Sequence, residues 1–265
     1  MRIALCIEYD GSLYCGWQSQ SSRCGVQDYI EAAIAKVAGH AVRVHVAGRT
    51  DTGVHALAQI IHFDTESLRL NNAWVRGVNA FLPKQIVVKW AHEVDPEFHA
   101  RYEAQRRSYQ YLLYNHTTRP ALMANQVGWF HDVLNEAQMQ AAINHFLGVH
   151  DFSAFRAAEC QAKSPIKHLT QAEIVRKGDY YLFNFSANAF LHHQIRNMVG
   201  ALIYVGKGAL KPIQIKALLD SKDRTQAPPT FSAHGLYLTG VTYDEKWKLP
   251  NTHYCLTKNY LSLLL

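Results

Sequence analysis

The sequence predicts an α/β protein on three observations: an opening run of apolar residues at period two, a helical apolar stripe directly after it, and a return to extended patterning beyond that. In RIALCIEY, Ile3, Leu5, Ile7 and Tyr9 share one face of a strand. VQDYIEAAIAKVAG then places Val26, Ile30, Ala33, Ile34 and Val37 on one helical stripe, which Gly39 stops. VRVHV sets Val42, Val44 and Val46 at period two and completes a β-α-β unit, and QIIHFD resumes the extended pattern. Further on, QIVVKWAHEV and SYQYLLYN read as strands. A helix follows from about Asn135, its N-cap, through Met139, Ala142, Ile143, Phe146 and Leu147 to Gly148. AEIVRKGDYYLFNFS reads as a hairpin turning at Lys177, Gly178 and Asp179. Two more helices, near residues 195 to 205 and 212 to 220, the second with proline in its first turn, lead to a last strand, GLYLTGVTY.

With 265 residues, 48% of them hydrophobic, the chain can bury a sizeable core as one large domain or two small ones. A formal net charge of +6 suits a polyanionic partner, because Lys and Arg that neutralise phosphates release counterions. No apolar run approaches the ~20 residues that span a bilayer, and the N-terminus lacks the basic-then-apolar layout of a signal peptide. The expectation is a cytoplasmic protein with no membrane partner. Five cysteines, at positions 6, 15, 24, 160 and 255, contain no C-x-x-C pair and are odd in number, which predicts neither a disulfide framework nor a zinc site. Cys6, inside the first strand, is expected to be buried and inert. Among fifteen histidines, His192 and His193 are adjacent and so are expected to point apart, His55 and His62 are seven residues apart, and no H-E-x-x-H occurs. No metal site is expected.

The stretch richest in chemistry is AGRTDTGVHA, residues 47 to 56, a loop between two strands. Gly48 and Gly53 free the backbone on either side of Arg49, Thr50 and Asp51, so a carboxylate is held beside a guanidinium. An Asx-type turn with a surface ion pair would use the same residues.

This loop stands in a series. IEYDGSLYCGWQ (7 to 18) and GVQDYIEAAI (25 to 34) precede it. GVNAFLP (77 to 83), FHARY (98 to 102), RRSYQYLLYN (106 to 115), NAFLHHQIRNMVGALIYVG (188 to 206), KDR (222 to 224) and GLYLTGVTY (235 to 243) follow. In order and spacing these strings resemble the TruA family of tRNA pseudouridine synthases from residue 3 to about 244. The resemblance implies a mixed, largely antiparallel sheet flanked by helices, in two similar halves about a central cleft. The halves would be residues 1 to 105, carrying the Asp loop, and 106 to 245; the tail from 246 to 265 has no assigned role, and its LSLLL could dock on the body, dock on a second subunit or be disordered. It also implies a homodimer that isomerises uridine to pseudouridine in the anticodon stem-loop of tRNAs, at positions 38, 39 and 40. That reaction breaks the C1′–N1 bond and makes a C1′–C5 bond with no net redox change and no group lost, so it calls for no cofactor.

The resemblance assigns residues in turn. Asp51 would be the nucleophile or base. A carboxylate in a dry pocket needs a nearby cation to stay ionised, and Arg196 in HHQIRNMVG matches the family's basic partner; by pattern alone it is also an arginine covering an apolar stripe. Arg49 would help expel the target base from the stack. Tyr109 would stack on the flipped uracil, although for it and Tyr111, which share a face of SYQYLLY, a core role is the default by pattern; Leu236 would be an apolar wall, with a core role equally open. Phe98, His99, Ala100, Arg101 and Tyr102 align with a tRNA-contacting segment, and ECQAK, with Lys163, with a second in which Glu159 is acidic where RNA would approach. Arg106 and Arg107 alternate with Tyr109 and Tyr111 in a texture common to RNA-binding surfaces. A catalytically silent RNA-binding module would share the fold but would not need Asp51, Arg49 and Arg196. A hydrolase with an aspartate nucleophile would place an acidic residue two positions after it, where this chain has Gly53.

Overall fold

A computed structural model of the chain describes residues 1–256, which divide into two compact units: residues 1–106 with the chain from Tyr237 on, and residues 107–236. The LSLLL run lies outside the described residues. The first unit contains β1 (Arg2–Tyr9), α1 (Val26–Ala38), β2 (His45–Val46), β3 (His55–Asp64), α2 (Asn71–Phe81) and β4 (Ile86–Val94). The second contains β5 (Arg106–Asn115), β6 (Gly128–Phe130), α3 (Glu136–Ile143), β7 (Gly148–Asp151), β8 (Ile166–Lys177), β9 (Tyr180–Ala187), α4 (Gln194–Gly206) and α5 (Gln214–Ser221), and β10 (Leu236–Thr242) follows. Among the described residues no helix is long and apolar enough to cross a membrane.

In the first unit β1 lies between β3 and β4, antiparallel to both, and β10 runs parallel to β3 at Tyr237↔His55 and Leu238↔Ala56. That pairing brings residues 237 to 245, placed with the second half by the family's pattern, into the first unit. The tail joins it there: Tyr254 donates its N–H to the Thr239 carbonyl at 2.8 Å, and Trp247 and Leu256 are buried. Nine of the ten residues of β3 are buried. The extended segment VRVHV shrinks to His45–Val46, which pairs with His62 and Ile61. Helix α2 holds the GVNAFLP motif, and Asn79 exchanges two hydrogen bonds with the Val88 backbone, at 2.9 and 2.7 Å, fixing the helix to β4.

One bond corrects the cysteine reading. Cys15 and Cys24 are joined in a disulfide with Cα atoms 5.4 Å apart. The residues between them turn back so that Cys15 N–H donates to the Cys24 carbonyl at 3.0 Å, a long-range closure that the spacing does not announce. Cys6 is fully buried, and desolvation pushes its thiol up to about 12.

The second unit is built on β5-β9-β8-β7, all antiparallel, with β6 parallel to β5. The hairpin turns at Gly178 and Asp179 as the sequence indicates. Asn135 caps α3 by accepting from Gln138 N–H at 3.1 Å. That helix ends at Ile143, short of the expected Gly148, because residues 144 to 146 tighten into a 3-10 turn and Gly148 already opens β7. Apolar residues crowd every side of α4, leaving only Arg196 and Tyr204 outside its buried set. At Gly200 a Cβ would stand 2.5 Å from the Pro229 carbonyl, so glycine is what lets the 229–231 segment lie against α4.

Candidate active site

Asp51 sits half-buried on the loop between β2 and β3, with Arg49 exposed beside it. The loop is clamped through its backbone. Trp17 N–H donates to the Thr50 carbonyl at 3.0 Å and Val54 N–H to the Asp51 carbonyl at 3.1 Å. Gly16, at φ +82°, presses so close that a Cβ would meet the Thr50 carbonyl oxygen at 2.8 Å and the Asp51 carbonyl carbon at 3.1 Å. The YDG and GWQ motifs therefore supply the bed of the Asp loop. Beneath it, Gly11 N–H and the Asp10 carboxylate each lie 3.1 Å from His55 Nδ1, and the buried His55 ring stacks on Tyr237 at 4.6 Å. The His55 contact holds the Asp10 carboxyl far below the usual carboxylate range.

The FHARY segment is also in the first unit, and only part of it reaches the surface. Phe98 and Ala100 are fully buried, Phe98 against His62, Tyr243 and Trp247. Arg2, in a bidentate pair with Asp64 at 2.8 Å, donates to the Phe98 carbonyl at 2.9 Å. Tyr243 donates to the Ala100 carbonyl at 2.6 Å, and Ala100 N–H donates to His62 Nδ1 at 3.1 Å. With its backbone bonded inward, the segment displays Arg101 and Tyr102, the latter 74% exposed, beside a half-buried His99.

His45, His62 and His99 converge, with ring nitrogens within 4.8 Å of one another, a grouping that no sequence spacing shows because each comes from a different segment. Its chemistry does not fit a divalent metal. Nδ1 of His62 accepts from Ala100 and Nδ1 of His99 accepts from Arg101 N–H at 3.1 Å, so the neutral rings carry their protons on Nε2, whereas a metal-bound histidine donates its second nitrogen to an acceptor. The rings pack on one another instead, His45 stacked on His62 and His99 edge-on to it, and burial brings His62 down to about 3.

In the second unit Arg196 occupies the first turn of α4. Its Nε donates to the Phe231 carbonyl at 3.0 Å, and Phe231 N–H returns a bond to the Arg196 carbonyl at 3.3 Å. Its neighbour Asn197, fully buried, donates to the Phe155 carbonyl at 2.8 Å and accepts from Thr230 at 2.6 Å and Arg224 at 3.2 Å. Arg224, in the KDR motif, also reaches the Ala227 carbonyl at 2.9 Å, so that motif braces the segment holding Arg196. Sequence reading found KDR without finding this role.

Tyr109, 9% exposed, faces Phe185 across the ladder and meets Phe190 edge-on at 5.2 Å. Tyr111 is fully buried and donates to the Ser232 carbonyl at 2.9 Å, the core placement that its alternation gives by default. Leu236 is buried. Lys163 is exposed at the end of a loop folded around Arg156, which donates to the carbonyls of Cys160 and Ala162. His192 and His193 lie side by side, with centroids 4.0 Å apart, rather than diverging, because His193 takes φ +61° at the N-cap of α4.

A family model described as tRNA pseudouridine synthase matches residues 5–103 and 142–244, and the chain belongs to that family. It is 60% identical over 252 residues to a tRNA pseudouridine synthase A of Methylobacillus flagellatus, covering 95% of this chain and 97% of that one. It is 54% identical to one of Thiobacillus denitrificans, covering 95% and 97%. With one of Nitrosomonas eutropha it shares 48% over 264 residues, covering 100% and 95%.

Proposed function

We propose that this chain isomerises uridine to pseudouridine in the anticodon stem-loop of tRNA, at positions 38 to 40, in the cytoplasm and as a homodimer. Family membership over both units supports the reaction and the tRNA substrate, and the net charge of +6 suits a polyphosphate partner. The observation that carries the assignment of residues is the Asp51 loop. Its flanking carbonyls are already bonded, so its backbone is set before substrate arrives, which is what a nucleophile or base must have to meet one atom of a flipped nucleotide.

In this reading Asp51 attacks or deprotonates the target nucleotide, Arg196 is its charge partner, and exposed Arg49 takes the space left by the flipped base. Tyr109 and Leu236 receive the uracil. His99, Arg101 and Tyr102 meet the RNA while Phe98 and Ala100 anchor them, and Lys163 gives a second contact. Sedimentation at micromolar concentration measures the dimer against the 30.1 kDa chain.

Asp51→Asn tests the assignment. It keeps shape and removes both charge and nucleophile, and the expected protein folds, binds tRNA and forms no detectable pseudouridine, read by chemical derivatisation because isomerisation leaves RNA mass unchanged. Near wild-type activity in that variant means Asp51 is not the catalytic group. Inactive wild-type protein that still binds tRNA would be a silent module.

A further inference from the structure

Strand β3 is apolar except for a few side chains, and the one at its centre is Gln59, fully buried opposite Ile7 of β1. Its Nε2 donates to the Gly48 carbonyl at 2.6 Å and to the Tyr9 phenol oxygen at 3.4 Å. Tyr9, 2% exposed and packed on Trp17, shares a hydrogen bond of 2.8 Å with Thr50 Oγ1. The chain Gln59–Tyr9–Thr50, with the branch to Gly48, grips the Asp51 loop at its first glycine and at the residue immediately before the aspartate.

The grip comes at a cost to the fold. Gln59 Oε1 is buried without a hydrogen-bond partner, and a flipped amide would set that oxygen against the Gly48 carbonyl, so the orphan is built into the arrangement. Methionine, of the same length, would remove the orphan oxygen but would also leave the Gly48 carbonyl without this donor. A buried amide that keeps an orphan oxygen in the core while fixing the loop that bears the reactive carboxylate is accounted for by what it positions.

We infer that Gln59, acting through Tyr9 and the Gly48 and Thr50 groups, is a positioning residue that sets the Asp51 carboxylate for reaction. This rests on Asp51 being catalytic, as proposed above. The interaction is with the loop and not with RNA, so it governs turnover rather than tRNA affinity, and a misplacement of about 1 Å is enough to cost ~100-fold in rate.

The test compares full-length wild type, Gln59→Met, Tyr9→Phe and the double variant in kcat, KM for a tRNA transcript, and thermal midpoint, with Asp51→Asn in the same assay. Expected for Gln59→Met is a kcat about tenfold to a hundredfold lower, a KM within about twofold, and a midpoint little changed, because the orphan oxygen is lost together with the donor to Gly48. Tyr9→Phe follows in the same direction, and the double variant is no worse than the weaker single, because both act through one chain of bonds. If Gln59→Met fails to fold, Tyr9→Phe, which loses one oxygen, decides. Loss of kcat only in step with a falling midpoint, or kcat within twofold of wild type in both singles while Asp51→Asn is dead, overturns the positioning role alone. Activity in Asp51→Asn overturns the reading beneath it.

Discussion

The Asp51 loop and the Phe98–Tyr102 segment are held in the same manner by the same strand, yet they display different chemistry. Residues 59 and 62 of β3 have opposite parity and so face opposite sides of the sheet. From one side Gln59 grips the loop that bears Asp51; from the other His62 accepts from Ala100 and secures the segment that shows Arg101 and Tyr102. The Asp loop ends in one half-buried carboxylate with its backbone locked on both sides. The other segment sinks alternate residues into the core and leaves a cation and an aromatic ring in solvent. The difference teaches how one buried strand can serve both reaction and binding: polar side chains within it anchor loops, and what each loop projects decides its task.

If that division holds, altering the reactive part should move turnover and altering the display should move affinity. After Asp51 itself, the largest effect is expected at Arg196. Changing it to Met removes the proposed charge partner of Asp51, and single-turnover pseudouridine formation should fall about a hundredfold or more with tRNA affinity within about threefold. Equal losses in both would make Arg196 an RNA contact and erase the distinction.

A smaller effect, on stability, is expected beneath the display segment. Burial first, then His99, His45 and Arg2, hold His62 at about 3, with Asp64 opposing, whereas an unfolded chain titrates near ~6.5. The unfolded state therefore takes up the proton first; the neutral ring's contribution is whole above the unfolded value and is lost as pH falls toward the folded one. Urea unfolding from pH 7 to pH 4 should show this acid limb in the wild type and a flatter one in His62→Gln, with a loss of about 1 to 3 kcal/mol at neutral pH. Identical limbs would detach His62 from the stability of this face.

The smallest effect is at Arg101. Arg101→Ala should weaken tRNA binding severalfold, with kcat unchanged at saturation, and lower the slope of log affinity against log salt by about one. An unchanged slope would move the RNA surface off this segment.

Local signals determined much of this protein in advance. Extended apolar runs marked β1, β3, β4 and β5, the helical stripe marked α1, Asn135 announced the start of α3, and Lys177-Gly178-Asp179 marked the hairpin, because each is set by neighbours a few residues apart. The AGRTDTGVHA loop and the ordered motifs made the family legible, and the family match spans both units. Tertiary structure alone decided the rest. VRVHV pairs with β3 at two residues alone, although β3 runs on to Asp64, and Val44 N–H donates instead to Glu31 Oε1 at 3.0 Å. That Phe98, Ala100 and Tyr111 face inward, that Cys15 meets Cys24, and that three histidines from three segments converge are outcomes of tertiary packing. Gln59 and Arg224 make the same point, since a glutamine in an apolar strand and an arginine in a short polar motif acquire roles only when the chain brings Gly48 and Asn197 to them. A hydrogen bond needs its partner at about 3 Å, and no sequence spacing supplies that partner across the fold.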